Sequence, residues 1–259
     1  MTSKGKNRKR GAPARSTSSR PRDQYGQNRR SLVVTVVCEG KTERDYLSCL
    51  NDEAGQEGRF FINLAPASQP NQGFKPEKAV QQAIEAKKQL PAADKKQVWV
   101  VFDRDENTDI PRAFRLADVH NIEVAFSAPS FDLWLWLHFA PGLPSQSSND
   151  QILRSLNAVA GFEYYGKRSG GKSSNSNPKR LNDKQRSVLW GKRVDAVRLA
   201  RKLVDRCWEG HCEAKQKPAE SGHADNCDPL RRDTQTDFYR LMELLRVADR
   251  SERRHRRSS

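Results

Sequence analysis

Short β-branched runs alternate with longer amphipathic stretches along the first half of the chain. Apolar runs of five or six residues predict four buried strands, at residues 32–37, 60–64, 98–102 and 122–126. Apolar side chains spaced three and four residues apart predict helices between successive strands, at residues 42–51, 76–90 and 111–120. Strands that alternate with helices are typical of a doubly wound, mainly parallel sheet with helices on both faces. The pattern therefore predicts an α/β fold with a four-stranded sheet.

The second half of the chain is predicted to be mostly helical. Residues 131–139 place Phe or Leu at every second position, which suits a strand. The preceding Pro129-Ser130 and the Leu-rich composition instead favour a buried helix capped by Ser130. Three more helices are predicted, at residues 149–160, 187–208 and 236–250. A stretch rich in Gly, Ser, Asn and Lys at residues 166–184 predicts a mobile loop.

The net charge of the 259-residue chain is +15, and it is concentrated in three segments. Residues 1–30 carry ten Lys/Arg and one acid, and residues 246–259 carry six Arg and two acids. Residues 166–193 carry nine Lys/Arg against one Asp, so the rest of the chain sums to −6. We therefore expect a slightly acidic fold with basic attachments, and not a uniformly basic protein that coats DNA.

Composition and pattern together divide the chain into four segments. We expect a disordered basic tail at residues 1–30, an α/β domain at 31–145, a helical region at 146–250 with a basic loop at 166–193, and a basic tail at 251–259. The tails hold almost no apolar side chains that could offset the entropy of ordering. Their composition suits both a solvated tail that aids solubility and a salt-sensitive arm for phosphate backbones.

Membrane and secreted classes do not fit the composition. The chain holds no run of about 18 apolar residues, so the sequence predicts no membrane-spanning helix. No apolar stretch follows the basic N-terminal segment, so we expect no secretory signal. Five cysteines in a chain without an export signal favour reduced thiols over a disulfide framework. We therefore expect a cytoplasmic protein without membrane contacts.

Acidic residues follow two of the predicted strands. Glu39 comes directly after the first strand, and Asp103 and Asp105 follow the third. Functional groups in an open parallel sheet collect beyond the carboxyl ends of the strands, so these side chains converge if the two strands are neighbours. Carboxylates crowded in this way suit a hard cation such as Mg²⁺ or Mn²⁺. The alternative is that Asp103 and Asp105 only cap a turn before Pro111.

The chain resembles RloB-like proteins, whose catalytic fold is similar to the Toprim domain. The opening motif of that family is similar to residues 36–43 (VVCEGKTE). The Asp-x-Asp motif of Toprim enzymes matches residues 101–105 (VFDRD). A third family block, in which an acid precedes a Trp/Leu-rich helix that ends in His, is similar to residues 127–139. Residues 233–245 resemble the last helix of the family, so the resemblance covers residues 31–250.

The sequence departs from the family pattern in two places. Ser130 and Asp132 stand where Cys (or another small residue) and Glu are expected. The loop from Gly166 onward is unusually basic. With those exceptions, the resemblance implies a Toprim-like catalytic domain at residues 31–145.

The Toprim resemblance implies roles for the acids. Glu39 would be the general acid/base, and Asp103 and Asp105 would hold Mg²⁺ that neutralises charge on the phosphoryl group. Glu43 lies one helical turn beyond Glu39 and can face the same crevice. In related Toprim nucleases a similarly placed acid helps to hold a second metal ion, so the resemblance makes Glu43 a candidate ligand beside these three. The alternative role for Glu43 is a first-turn acid that complements the helix dipole. Lys41 is a candidate contact to the scissile phosphate, or else a solvated lysine.

Asp132 and His138 are candidate supporting residues in the third block. Asp132 follows the fourth strand at the edge where the site is expected, although the helix dipole alone also accounts for an acid there. For His138, a core histidine bonded to the backbone is favoured over a catalytic one. The basic loop supplies the candidate nucleic-acid contacts, which are Lys167, Arg168, Lys172, Lys179 and Arg180.

Cysteine and histidine residues near the C-terminus approximate the spacing of a zinc site. The four residues are Cys207, Cys212, His223 and Cys227. The first spacing is wide and a polar linker separates the two halves, so the sequence favours a chance grouping over a zinc site.

The leading hypothesis is an Mg²⁺-dependent nuclease of the Toprim type that acts on phosphodiesters of DNA or RNA, including transfer RNA. RloB-like proteins are associated with restriction and abortive-infection loci, so the resemblance implies defence against phage and an ATPase partner. The alternative is a non-catalytic nucleic-acid-binding or regulatory subunit of an ATPase-containing complex. The sequence does not predict the oligomeric state.

Overall fold

A five-stranded sheet forms the centre of the computed structural model. Four strands are parallel: β1 (Leu32–Cys38), β2 (Phe60–Ala65), β3 (Val98–Asp103) and β4 (Glu123–Ala128). A fifth strand, β5 (Gln235–Thr236), pairs antiparallel with β4, and the strand order is β2-β1-β3-β4-β5. The predicted α/β fold with a mainly parallel sheet is confirmed, and the C-terminal region adds a short edge strand that the hydrophobic pattern does not predict.

The structure describes most of the chain between the two tails. It covers residues 32–54, 60–68, 73–94, 97–144, 148–167, 179–207, 211–215, 220–232 and 234–247. The predicted tails at 1–30 and 251–259 lie outside the described residues, as do Arg168 and Lys172. Among the described helices, none is long and apolar enough to cross a membrane.

Helices cover both faces of the sheet. On one face, α2 (Pro76–Gln89) and α3 (Ile110–Val119) bury Ala79, Val80 and Ala113 in one core with Val100 and Phe102 of β3. On the other face, a larger core contains side chains of α1 (Lys41–Ala54), α4 (Asp132–Leu137), α6 (Asp183–Asp205) and α7 (Phe238–Leu244), together with Ile152 and Leu156 of the next helix described. The short helix α5 (Asn149–Asn157) packs against α4. The two-faced arrangement explains why successive residues of the central strands are mostly apolar.

Three local predictions differ from the structure in detail. Residues 131–139 contain a helix, as favoured, but Ser130 does not cap it, and its buried hydroxyl makes no hydrogen bond within the described residues. The helix predicted at 42–51 begins one residue earlier, at Lys41, so Thr42 lies inside α1, where it donates a 2.6 Å hydrogen bond to the carbonyl oxygen of Lys179. Helix α6 begins at Asp183, where Asn182 and Gln185 form a capping box, so the last part of the predicted 166–193 loop is helical.

Candidate functional site

The ends of β1 and β3 bring Glu39 and Asp103 together. Cys38 pairs with Val101 in the parallel ladder, and the main-chain N–H of Glu39 donates a 2.8 Å hydrogen bond to the Val101 carbonyl. The N–H of Asp103 in turn donates a 2.8 Å bond to Glu39 Oε2. The predicted convergence of the two strand ends is therefore present, because β1 and β3 are adjacent and parallel.

Asp103 is the most buried acid of the Asp-x-Asp motif, with 8% of its surface exposed. Its Oδ2 accepts a 2.9 Å hydrogen bond from the N–H of Phe131, whereas Oδ1 is buried with no hydrogen-bond partner within the described residues. Burial, followed by the charges of Glu43, Glu39 and Asp105, raises the pKa of Asp103 well above its ordinary value. A buried carboxylate oxygen without a donor is costly unless a cation binds it.

Asp105 has a left-handed backbone conformation and is held by two hydrogen bonds. Its φ of 38° lies in the left-handed region, and its N–H donates a 2.9 Å hydrogen bond to the carbonyl of Pro129. Asn149 Nδ2, at the start of α5, donates a 3.1 Å bond to Asp105 Oδ1. Burial raises the pKa of Asp105, and the Asn149 hydrogen bond opposes that shift.

Glu43, in the first turn of α1, adds a fourth acid to the group. The side chain is 4% exposed, and burial together with the charges of Asp132 and Asp105 raises its pKa to about 7. Burial also raises the pKa of Glu39 to about 8, against the effect of the Asp103 hydrogen bond. A Cβ at Gly40 would lie 2.5 Å from Glu43 Oε2, so the glycine makes room for this carboxylate.

Asp132 lies beside these acids but is already paired. It is 3% exposed, accepts a 2.8 Å hydrogen bond from the Tyr165 hydroxyl, and forms a 2.7 Å ion pair with Lys179. Its charge acts on Glu43, which places it at the rim of the acidic group. The sequence suggests no link from either Tyr165 or Lys179 to Asp132, since the pairs are 33 and 47 residues apart.

An open cleft of about 540 Å³ adjoins the acids. Gly73 lines it with a φ of 76°, and a Cβ there would lie 2.6 Å from the Glu39 carbonyl oxygen. Sequence reasoning misses several of the lining side chains, because they belong to no motif. The cleft is lined by Glu39, Gly73, Phe74, Lys75, Asp105, Glu106, Asn107 and Asn149.

A model of the RloB-like protein family matches residues 34–245, which is most of the chain and all of the acids described above. The chain belongs to the RloB-like family. No curated protein and no solved structure matches this RloB-like chain.

The predicted basic contacts of this RloB-like chain fall in different places. Lys41 lines a separate cavity of about 320 Å³ with Arg44 and Arg180. Arg180 binds Asp45 through two hydrogen bonds, of 2.5 and 2.8 Å, and Lys179 binds Asp132 as described. Lys167 lies 5.8 Å above the ring of Tyr164. Of the described candidates, Lys179 and Arg180 thus have acidic partners within the protein.

His138 is a core residue at the far end of α4. Its Nδ1 lies 2.9 Å from the Trp134 carbonyl oxygen, and its Nε2 lies 3.1 Å from the Tyr46 hydroxyl. Burial lowers its pKa to about 4, so the imidazole is neutral at pH 7. The burial of His138 and these two contacts agree with the core role that the sequence favours for it.

The acids of the RloB-like chain suit a hard divalent cation. They offer carboxylate oxygens only, which Mg²⁺ and Mn²⁺ prefer, and in the described part of the chain no donor reaches the buried Asp103 Oδ1. Among the described residues they do not form a tight ligand group of the kind that the cysteines and His223 form. Mg²⁺ usually keeps several waters and binds through one or two carboxylates, so this looser arrangement fits it.

Proposed function

We propose that this RloB-like protein is a metal-dependent nuclease of the Toprim type that cleaves nucleic-acid phosphodiesters. One observation carries the proposal: Oδ1 of Asp103, buried and without a hydrogen-bond partner among the described residues, lies in a group of acids at the carboxyl ends of β1 and β3, beside an open cleft. Acids that are crowded beside a cleft and raise one another's pKa are typical of functional sites. The Toprim resemblance supports the reaction class.

Asp103 and Asp105 are the proposed ligands for Mg²⁺ or Mn²⁺, with Glu43 as a further ligand. When bound, the ion supplies positive charge that neutralises the phosphoryl group as negative charge develops on it. Glu39 exchanges a proton with the attacking or the leaving oxygen through its carboxyl group. The Asp103 N–H orients that group by holding Oε2 at 2.8 Å.

A negative site needs cations to hold a negative substrate. Lys75 lines the cleft, and Lys179 lies at the described end of the basic loop, bonded to Asp132 at the rim of the acids. We therefore assign the proposed phosphate contacts to Lys75 and to the loop residues Lys167, Arg168 and Lys172. Asp132 serves to hold Lys179, and with it the end of the loop, next to the acids.

The proposed biological role is defence against phage, in cooperation with an ATPase partner. It rests on the resemblance to RloB-like proteins, which are associated with restriction and abortive-infection loci. Both DNA and RNA, including transfer RNA, are proposed substrates.

A cleavage assay with the full chain tests the proposed activity. The protein is incubated with plasmid and with total RNA, with and without added Mg²⁺ or Mn²⁺. We expect metal-dependent cleavage that falls at least 100-fold in Glu39→Gln and Asp103→Asn. Asp118→Asn, an exposed acid on α3, is the matched control and keeps full activity.

Two results would contradict the proposal. Equal cleavage by Glu39→Gln, Asp103→Asn and the wild type would assign the activity elsewhere. Salt-dependent nucleic-acid binding without cleavage or metal binding would favour the non-catalytic subunit.

A further inference from the structure

Four potential metal ligands converge where α6 ends. They are Cys207, Cys212, His223 and Cys227, whose ligand atoms all lie within 4.8 Å of one another. The last three residues are buried and Cys207 is half-buried. The spacing in the sequence favours a chance grouping, yet the fold brings both halves to one point.

The polar linker does not keep the two halves apart because the chain doubles back. The N–H of Glu213 donates a 2.9 Å hydrogen bond to the Gly222 carbonyl, which joins the segment of Cys212 to the segment of His223. A Cβ at Gly222 would lie 2.7 Å from Val204 Cγ1 and 2.9 Å from the Glu213 carbonyl oxygen. The glycine therefore permits the close approach that completes the cluster.

Three distances within the cluster are close to those of a tetrahedral zinc site. Zn–S bonds of about 2.3 Å and Zn–N bonds of about 2.0 Å give edges of about 3.8 Å between sulfurs and about 3.5 Å between sulfur and nitrogen. The sulfurs of Cys207 and Cys227 are 3.8 Å apart. His223 Nδ1 lies 3.3 Å from Cys212 Sγ and 3.6 Å from Cys227 Sγ.

The surroundings of the cluster also suit a bound cation. His223 turns Nδ1 toward the sulfurs, and its Nε2 lies 3.5 Å from Oδ1 of the buried Asp237. The N–H of Ala224 donates to Cys212 Sγ at 3.5 Å. A histidine ligand backed by a carboxylate is a common outer-shell arrangement of protein zinc sites.

We propose that Cys207, Cys212, His223 and Cys227 bind one zinc ion as a structural site. Thiolate and imidazole ligands select zinc over Mg²⁺, and four protein ligands leave no open position for chemistry. Asp237 follows β5, and its N–H donates a 2.8 Å hydrogen bond to the Phe126 carbonyl of β4. The zinc thus connects the C-terminal end of α6 to the side of the sheet formed by β4 and β5. This structural role is independent of the function of the acids.

Metal analysis of the full chain tests the proposal directly. Protein purified without chelators is expected to hold about one zinc per chain by elemental mass spectrometry. Replacement of zinc by Co²⁺ is expected to give the thiolate charge-transfer and d–d absorption of a tetrahedral site. Zinc far below one equivalent together with no cobalt spectrum would overturn the site, as would a Cys207–Cys227 disulfide in the zinc-free protein as isolated.

Matched variants identify the ligands. Cys227→Ser is expected to lower zinc content at least tenfold, whereas Cys49→Ser, a buried cysteine of α1 outside the cluster, keeps it. His223→Cys replaces one good ligand by another and is expected to retain zinc even if Cys227→Ser does not fold. Unchanged zinc in Cys227→Ser, or loss of zinc in Cys49→Ser, would contradict the assignment.

Discussion

The main-chain N–H of Asp103 donates a 2.8 Å hydrogen bond to Glu39 Oε2, so the backbone of β3 orients the acid that follows β1. The donor is a backbone group and does not depend on the side chain of Asp103. The carboxylates of Glu39 and Asp103 can therefore be changed separately. The bond also gives Glu39 a structural task besides its proposed chemical one.

The two tasks of Glu39 predict different effects of two substitutions. Glu39→Gln keeps an oxygen acceptor and removes the cost of holding a carboxyl with a raised pKa at pH 7.5, so the protein without added Mg²⁺ should be at least as stable as the wild type. Glu39→Ala leaves the Asp103 N–H without its acceptor and should be about 1–2 kcal/mol less stable than Glu39→Gln. Urea unfolding at pH 7.5 measures the difference. Equal stabilities of the two variants would show that the hydrogen bond contributes little.

The crowded acids predict a stability that depends on pH and on metal. Burial raises the folded-state pKa of Glu39 to about 8 and of Glu43 to about 7, above ordinary values of 4.5. Between pH 4.5 and 8 the folded state thus binds more protons than the unfolded state, and this contribution to stability falls as pH rises. Mg²⁺ favours the ionised acids, so its addition should raise the melting temperature more at pH 8.5 than at pH 6.

Asp103→Asn is the test variant for this experiment, because it removes a proposed ligand, and Asp118→Asn is its control. Asp103→Asn should lose most of the Mg²⁺-induced shift at pH 8.5, whereas Asp118→Asn on α3 should keep it. A shift that is the same at both pH values, or the same in Asp103→Asn, would contradict metal binding by these acids.

The sequence predicts the acids better than it predicts their partners. Glu39, Asp103 and Asp105 can be found because buried strands have a clear apolar pattern and parallel strands end at one edge of the sheet. Tyr165 and Lys179 reach Asp132 from 33 and 47 residues away, and no local periodicity encodes such a pair. Two-residue β5 is likewise too short to give a pattern of its own.

The ion pair between Lys179 and Asp132 predicts that removing only the lysine costs more stability than removing both charges. Among the described residues, Lys179→Met leaves the buried Asp132 with the Tyr165 hydroxyl as its side-chain donor, and we expect a loss of about 1–3 kcal/mol. Adding Asp132→Asn to Lys179→Met removes the uncompensated charge and should restore part of the loss. Lys88→Met, in an exposed pair with Glu85, should change stability by less than about 0.5 kcal/mol.

A double-mutant cycle by urea unfolding measures the coupling between Lys179 and Asp132. Additive effects of the two substitutions would show that the pair is not coupled. They would also contradict the proposal that Asp132 holds Lys179, and with it the end of the basic loop, next to the acids.

The basic loop predicts a salt-dependent contribution to nucleic-acid binding. Replacing Lys167, Arg168 and Lys172 together by Ala should weaken binding and lower the slope of log K against log salt by up to about 3. The Glu39→Gln background without Mg²⁺ prevents cleavage during the titration. The control replaces three exposed basic residues of α2 and α3, Lys78, Lys88 and Arg115, and removes the same charge. Equal slopes for the two triple variants would mean that net charge, and not the loop, holds the nucleic acid.

Gly73 packs against the backbone of Glu39, and its conformation predicts that alanine at this position lowers both stability and cleavage. Its φ of 76° disfavours a side chain, and a Cβ would meet the Glu39 carbonyl oxygen at 2.6 Å. That oxygen also accepts the 2.8 Å hydrogen bond from the Phe74 N–H, so the backbone has little room to yield. Gly73→Ala should cost about 1–3 kcal/mol of stability and lower cleavage by displacing Glu39.

The control is Gly191→Ala, in open space inside α6, which should instead stabilise the protein by about 0.5–1 kcal/mol. Thermal unfolding and the plasmid assay are measured on both variants. Full activity in Gly73→Ala would show that the conformation of Gly73 does not affect the role of Glu39 in cleavage.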